Sequence, residues 1–497
     1  MAQRAAARAF LLVPLVSVLW VTGAMAQENT LEGGVSATSN SDDPALEIPF
    51  EKFRLQNGLE VILHQDKRIP LVAVSVWYHV GAFDEPRGRS GFAHLFEHLM
   101  FQGSMHVPGD QHLAHLEGAG ASVRSGMVNG TTNFDRTNYF EVVPKNELEL
   151  ALWLESDRMG WLAAALTQAK LDEQRAVVKN ERLQGVENQP YGLAEEQLWQ
   201  QIFPRDHPYH GAVIGSLADL DAATMADVTA FYDAYYAPAN ATLAIAGDFE
   251  SQDAKSLVEK YFGTLPGGAR AAVRTITPPK LSSPIRIDVD EPVGKLAKVV
   301  VQYLTPPRFS PGDAELDVLA ALLTEGKTSR LVRALQYEEQ LVQSVRAYQQ
   351  SMANVSVFSV EAIVKDGVDP KAVLSGIQAQ LEFLTDLPPE AEEIERAVNR
   401  IETDVLFGLQ KLGGFSGKAE QLQSYNHFTG DPAYLAQDLA RYRAVTPDTL
   451  AAVVESHLAP EKRAVLVAWP RGTRPSSAAD TTGASSDDSP EPEGATP

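Results

Sequence analysis

Three residues in one short stretch have the types and spacing to do chemistry. Residues 91–100 read G-F-A-H-L-F-E-H-L-M and contain His94, Glu97 and His98. Residues three and four apart on a helix share a face. A helix here would aim both imidazoles at one point, a turn apart, with Glu97 beside them. Two neutral imidazoles at that spacing suit a zinc ion. A carboxylate next to them can take a proton from an attacking water. The flanking Phe92, Ala93, Leu95, Phe96, Leu99 and Met100 are apolar, so such a helix is mostly buried. A buried Glu between two His needs a partner such as a cation. The competing reading is two structural histidines and a stray carboxylate. Zero Cys in 497 residues removes disulfides and thiolate ligands, so any metal must be held by His and carboxylates.

The elements around this stretch follow from pattern. Residues 70–80 alternate with β-branched and aromatic side chains and read as a strand. A loop over 81–90 leads into the motif helix. Residues 123–143 are strand-like, and helices are expected over 145–161 and 167–188. His106, His112 and His115 follow the motif, but no carboxylate beyond Glu117 is placed to complete a second metal set. They read as ordinary structural or surface histidines.

The chain also repeats itself. Residues 224–247 can be laid on 446–469 without a gap, with Ala237-Pro238 meeting Ala459-Pro460. Residues 298–304 and 313–324 stand as counterparts of the strand before the motif helix and of that helix. In the second copy Leu319, Leu322 and Leu323 occupy the His-x-x-Glu-His spacing. The second half therefore keeps the pattern and lacks the metal. A Pro/Gly/Ser-rich stretch divides the halves.

His-x-x-Glu-His is the zincin motif read backwards. The stretch resembles the active-site helix of the M16 zinc metallopeptidases, the inverzincins, among them pitrilysin and the mitochondrial processing peptidase. The resemblance runs from about residue 50 to residue 470. It implies an α+β chain of two tandem homologous α/β domains, each a mixed sheet flanked by helices, with only the first catalytic. It implies one Zn²⁺ per chain, held by His94, His98 and a Glu just after a Val-Val pair. Val177-Val178 puts that third ligand at Glu181, with Glu173 the runner-up. Glu97 would be the general base. Gln174 stands where many relatives have a second Glu. Asn129 and Tyr139 match a family pattern on a strand beside the metal and would contact substrate. Many relatives also offer an Arg and a Tyr from the second domain, but here those positions are Gln336 and Gln343. In split members of the family, a metal-bearing chain works with a metal-free chain that supplies that pair.

The expected organisation is a signal peptide at 1–26, cleaved after Ala26, and a disordered lead-in at 27–47. A catalytic domain at 48–264 and a linker at 265–284 follow. A second domain at 285–470 and an acidic tail at 471–497 complete the chain. The apolar run near the start is shorter than the roughly 20 residues that span a bilayer. No stable membrane anchor is expected, and the chain reads as periplasmic or secreted. A formal charge of −23 argues against nucleic acid as a partner. The reading at this point is an exported zinc endopeptidase acting on peptides or unfolded segments. A related metal-free chain is its expected partner, with a homodimer as the alternative. The competing function is a catalytically silent scaffold or assembly subunit of the same fold.

Overall fold

The computed structural model describes residues 46–475 apart from 273 and 275. The expected signal peptide lies outside the described residues, as do almost all of the lead-in and tail.

The described chain folds around two mixed sheets. The first contains β1 (Glu51–Arg54), β2 (Glu60–Gln65), β3 (Leu71–Tyr78), β4 (Val128–Thr132), β5 (Thr137–Pro144) and β6 (Ala241–Gly247). The second contains β7 (Ile285–Glu291), β8 (Lys298–Thr305), β9 (Val342–Gln350), β10 (Ser356–Val364) and β11 (Arg463–Pro470). The strand orders are β1-β2-β6-β3-β5-β4 and β7-β11-β8-β10-β9. Only β2·β6 and β7·β11 are parallel; every other pair is antiparallel. Without β1, the two sheets match strand for strand in order and polarity. That is the structural form of the sequence repeat.

The helices that position the site and the repeat are α1 (Phe92–Leu99), α2 (Leu148–Trp161), α3 (Gln168–Arg182) and α4 (Gly192–Ile202). They are joined by α5 (Met225–Tyr235), α6 (Asp313–Thr324), α7 (Lys418–Thr429) and α8 (Pro447–His457). The repeat is exact in its punctuation. Thr224 caps α5 and Thr446 caps α8, each accepting a backbone N–H three residues on. The expected helix over 167–188 is α only to Arg182 and then widens into a π turn, Leu183–Glu187.

Each strand serves two layers through its period of two. On β3, Val72, Val74 and Val76 join the core beneath α1, α2 and α5. Ala73, Ser75 and Trp77 face the other way, toward α7. That second layer comes from the other half of the chain. Ala419, Leu422 and Tyr425 of α7 pack with Ile62, Ala73 and Ala244 of the first sheet. In return, Ala194, Leu198 and Ile202 of α4 pack with Ile287, Val300 and Leu466 of the second sheet. The halves thus exchange helices, and neither sheet is covered by its own half alone.

The α7 contact is also polar. The Glu420 carboxylate accepts from Ser75 Oγ at 2.5 Å, Trp77 Nε1 at 2.8 Å and Asn138 Nδ2 at 2.8 Å. Lys418 pairs with Asp66, which Arg68 also grips at 2.6 and 2.8 Å. The His79 and His427 rings stack across the junction with centroids 4.9 Å apart.

Candidate active site

The motif helix α1 is only eight residues long, so its anchors decide where its side chains aim. Phe92, Ala93, Leu95, Phe96 and Leu99 are buried, and Phe96 packs on Tyr236 with centroids 4.6 Å apart. His94, Glu97 and His98 remain half-buried on the one open side. The first turn is fixed from outside the helix. The Glu85 carboxylate accepts Gly91 N–H at 3.0 Å and Ala93 N–H at 2.8 Å, where a carboxylate also suits the helix dipole. Gly91 adopts φ 86, and a Cβ there would stand 2.7 Å from Ile214 O. Only glycine fits that contact.

The same contact ties α1 to α3. Arg182 of α3 donates to Gly215 O at 2.8 Å, and Gly215 is the backbone that lies against Gly91. Glu181, the residue before Arg182, is thereby held over the motif. Its Oε2 lies 3.3 Å from His98 Nε2 and 3.8 Å from His94 Nε2. One ligand atom from each of His94, His98 and Glu181 falls within 4.8 Å of the others, the only such group among the described residues. Glu173 is exposed and is not among the converging ligand atoms. Gln174 is buried against His98, and its Oε1 has no hydrogen-bond partner.

Burial and charge act on these groups in opposite directions. Burial pushes the His94 imidazole down to about 3, helped by the neighbouring His98. Burial would lower His98 too, but Glu181 outweighs it and holds His98 above its ordinary value. Burial alone would raise Glu181; His98, then His94, reverse this and leave it lowered. The Glu97 carboxyl is raised by burial, and the Thr132 hydroxyl that donates to it at 2.6 Å opposes the shift.

Thr132 belongs to β4, the edge strand of the first sheet. Val142 N–H donates to Met127 O at 2.8 Å and Asn133 N–H to Arg136 O at 3.0 Å. Antiparallel alternation then turns the main-chain groups of Val128, Gly130 and Thr132 toward the open edge. Gly130 passes directly by Glu97: a Cβ there would stand 2.9 Å from its Cγ. Neither Thr132 nor Gly130 stands out in the sequence. The available signal was the period of two, which puts Val128, Gly130 and Thr132 on one face. Asn129 lies on the opposite face, and its Oδ1 accepts Gly130 N–H at 2.8 Å.

Tyr139 corrects an expectation. It does not face a substrate path. It is fully buried in the core, its hydroxyl 3.3 Å from that of Tyr236, beneath the Arg158 guanidinium. The alternation that sends Asn138 toward α7 sends Tyr139 inward. The three downstream histidines do not converge. His106 bonds Asp157 at 2.5 Å, while His112 is buried edge-on to Phe101. On α6, Leu319, Leu322 and Leu323 are core residues of the second half.

Family models and known proteins match most of the described chain. Residues 60–215 match the family described as Insulinase (Peptidase family M16), and residues 222–401 match the Peptidase M16 inactive domain. The zinc protease PqqE of Helicobacter pylori is 28% identical over 392 residues, covering 78% of this chain and 86% of that protein. The crystal structure of a protease from Helicobacter pylori superposes with a TM-score of 0.79 at 25% identity, over 86% of this chain and 100% of that one. The periplasmic protease PqqL of Escherichia coli shares the fold, with a TM-score of 0.69 at 18% identity over 86% of this chain and 48% of that one. No helix among the described residues is long and apolar enough to cross a membrane. With the motif in the first matched region and leucines in its place in the second, the chain belongs to the M16 peptidase family.

Proposed function

We propose that this chain is an exported zinc-dependent endopeptidase that hydrolyses peptides or unfolded segments. One observation carries the reading: His94, His98 and Glu181 converge on one point, with Glu97 beside them under an open sheet edge. The donor set suits zinc. Donors about 2.0–2.1 Å from a tetrahedral ion stand roughly 3.4 Å apart; here Glu181 stands 3.3 and 3.8 Å from the two imidazoles, and all three donors lie within 4.8 Å of one another. Gln174 Oε1, buried and otherwise unpartnered, would accept the His98 N–H that the metal does not use. When bound, zinc supplies a Lewis acid that polarises the scissile carbonyl and acidifies water. Glu97 Oε1 takes the proton of the attacking water and passes it to the leaving amine nitrogen. Thr132 holds the other oxygen, Oε2, and so fixes the carboxylate plane. The open edge of β4 pairs with an extended substrate and brings its backbone past Glu97.

Export is supported by the leader pattern of the first 26 residues. The names of the relatives support zinc and proteolysis. Gln336 and Gln343 are neutral and shorter than the Arg and Tyr of many relatives, and they stabilise an oxyanion less well. A related chain lacking the metal motif is therefore proposed as partner, with a homodimer as the alternative. The intact motif weighs against a silent scaffold.

Metal removal tests the reading. Purified protein is expected to hold about one zinc per chain. A chelator should abolish cleavage of an unstructured peptide, and one equivalent of zinc should restore it. His94→Ala and His98→Ala should each lose the metal. Full zinc occupancy in both variants contradicts the ligand assignment.

A further inference from the structure

The end of β4 away from Glu97 runs into a loop of the second half that the proposed reaction leaves unused. The helix Ala391–Gly408 ends here, and residues 409–417 lead the chain into α7. The loop is a fixed body. Lys418 N–H donates to Lys411 O at 3.0 Å and Ala419 N–H to Leu412 O at 2.9 Å, closing its base. Leu412 is buried against the first sheet. Gly413 lies so close to β3 that a Cβ would stand 2.5 Å from Ala73 Cβ. Ser416 is held at φ 65, a conformation that costs a non-glycine residue energy.

This anchored loop and the helix end before it hold three large apolar side chains out to solvent. Phe407 is 59% exposed, Leu406 45% and Phe415 44%. Phe407 and Phe415 flank a groove of about 420 Å³, with Asp404 and Lys411 at its margin. Two exposed aromatic side chains about one groove on a rigid support mark a binding surface. Its position names the occupant. The Phe415 ring meets Phe140 edge-on at 5.3 Å, and Phe140 pairs with Asn129 of β4. A Cβ on Gly414 would stand 3.8 Å from Gly126 O, just before β4 begins. The loop thus reaches the residues just before β4 on the sheet face opposite Glu97, the face toward which alternate side chains of a strand paired along β4 also point. From Val128 to Thr132, beside Glu97, an extended chain covers roughly 13 Å at ~3.3 Å per residue.

We propose that Phe407 and Phe415 form a substrate subsite that takes an aromatic or large aliphatic side chain of the peptide paired along β4. That side chain lies about four residues from the bond cleaved, by the same strand rise. The inference rests on the proteolytic reading above and adds a preference that the metal site cannot supply.

Two assays separate the two ideas. In the first, unstructured peptides share one cleavable centre and carry Phe or Ser at each position three to five residues away. Cleavage sites are mapped by mass. The wild-type protein, with its companion chain if turnover requires one, should favour one Phe peptide by at least about tenfold in kcat/KM, through KM. The Phe407→Ala/Phe415→Ala protein should lose that preference and cleave the Ser peptide at the wild-type rate. In the second, fluorescent forms of the same peptides are titrated onto Glu97→Gln protein, with and without the two Ala substitutions, so binding is read without turnover. Turnover with equal preference in both proteins overturns the subsite. Phe-dependent binding to the groove with no cleavage by any form overturns proteolysis and leaves the subsite standing. If the two substitutions change only the oligomeric state by sedimentation, the surface joins copies of this chain and the subsite is rejected.

Discussion

The tightest constraints at the residue scale fall on side chains the metal would never touch. Gly130 gives the edge strand its passage beside Glu97, so Gly130→Ala should force the base to move by a few tenths of an ångström or more. The expected outcome is unchanged folding and zinc content, with kcat/KM for a peptide reduced by at least about tenfold, since small misplacements of catalytic groups are costly. Steady-state kinetics beside metal analysis will check this. Gln174→Leu removes the acceptor proposed for His98 and should weaken zinc retention by about 10- to 100-fold in chelator competition. Retention unchanged by that substitution would leave His98 without an outer partner. These two residues also mark the limit of the sequence. The spacing of His94, Glu97 and His98 announced a helix face, because one turn of helix is a local rule. Glu181 came from resemblance alone, since it lies on another helix 83 positions beyond His98. Tyr139 was misread because a motif match does not say which face of a strand a side chain takes.

At the scale of elements, the helix exchange is the feature that local pattern could not reveal. Nothing in α7 itself says that it covers the other half's sheet. Only the partners of Glu420, Lys418 and His427 do so, and they are more than 280 residues away in sequence. That the two halves share one architecture, by contrast, was foreshadowed by the gapless repeat around α5–β6 and α8–β11. Glu420→Leu would strand three donors of the first sheet and should lower unfolding stability by about 3 kcal/mol or more in urea. Glu420→Gln, which keeps an acceptor, should cost less. The stacked histidines at the same junction give a pH dependence. Burial lowers His79 to about 4, with Arg270 adding to burial and Glu60 opposing it. Burial, then His79, Arg136 and Arg270, hold His427 well below its ordinary value. The unfolded chain binds these protons first, near the ordinary histidine value of about 6.5. Stability should therefore be full above that pH and fall as pH drops toward about 4. Thermal melts of wild type and His427→Gln across that window should differ in slope, the wild type being steeper. Parallel curves would remove the pair from the account.

At the scale of the whole molecule, two copies of one architecture have diverged to different ends. The first sheet carries His94, Glu97 and His98 on α1 and an open edge at β4. The second keeps the order and polarity of the strands but fills the equivalent helix, α6, with core leucines. Exchange of α4 and α7 makes the pair one folding unit, so the second copy has a structural task even without a metal. Under the proposed subsite, the second copy also shapes the far end of the substrate path, where Gly414 lies beside Gly126 just before β4. The central claim is that Glu97 is the proton acceptor of a zinc-dependent hydrolysis performed beside that edge. Glu97→Gln keeps the size of the side chain and its bond from Thr132 but cannot accept the proton. The measurement is peptide cleavage by the Glu97→Gln protein at equal zinc content, with the same companion chain present as for wild type. The account predicts full zinc and a fall in turnover of at least about 10²-fold. Wild-type turnover at full zinc would contradict it.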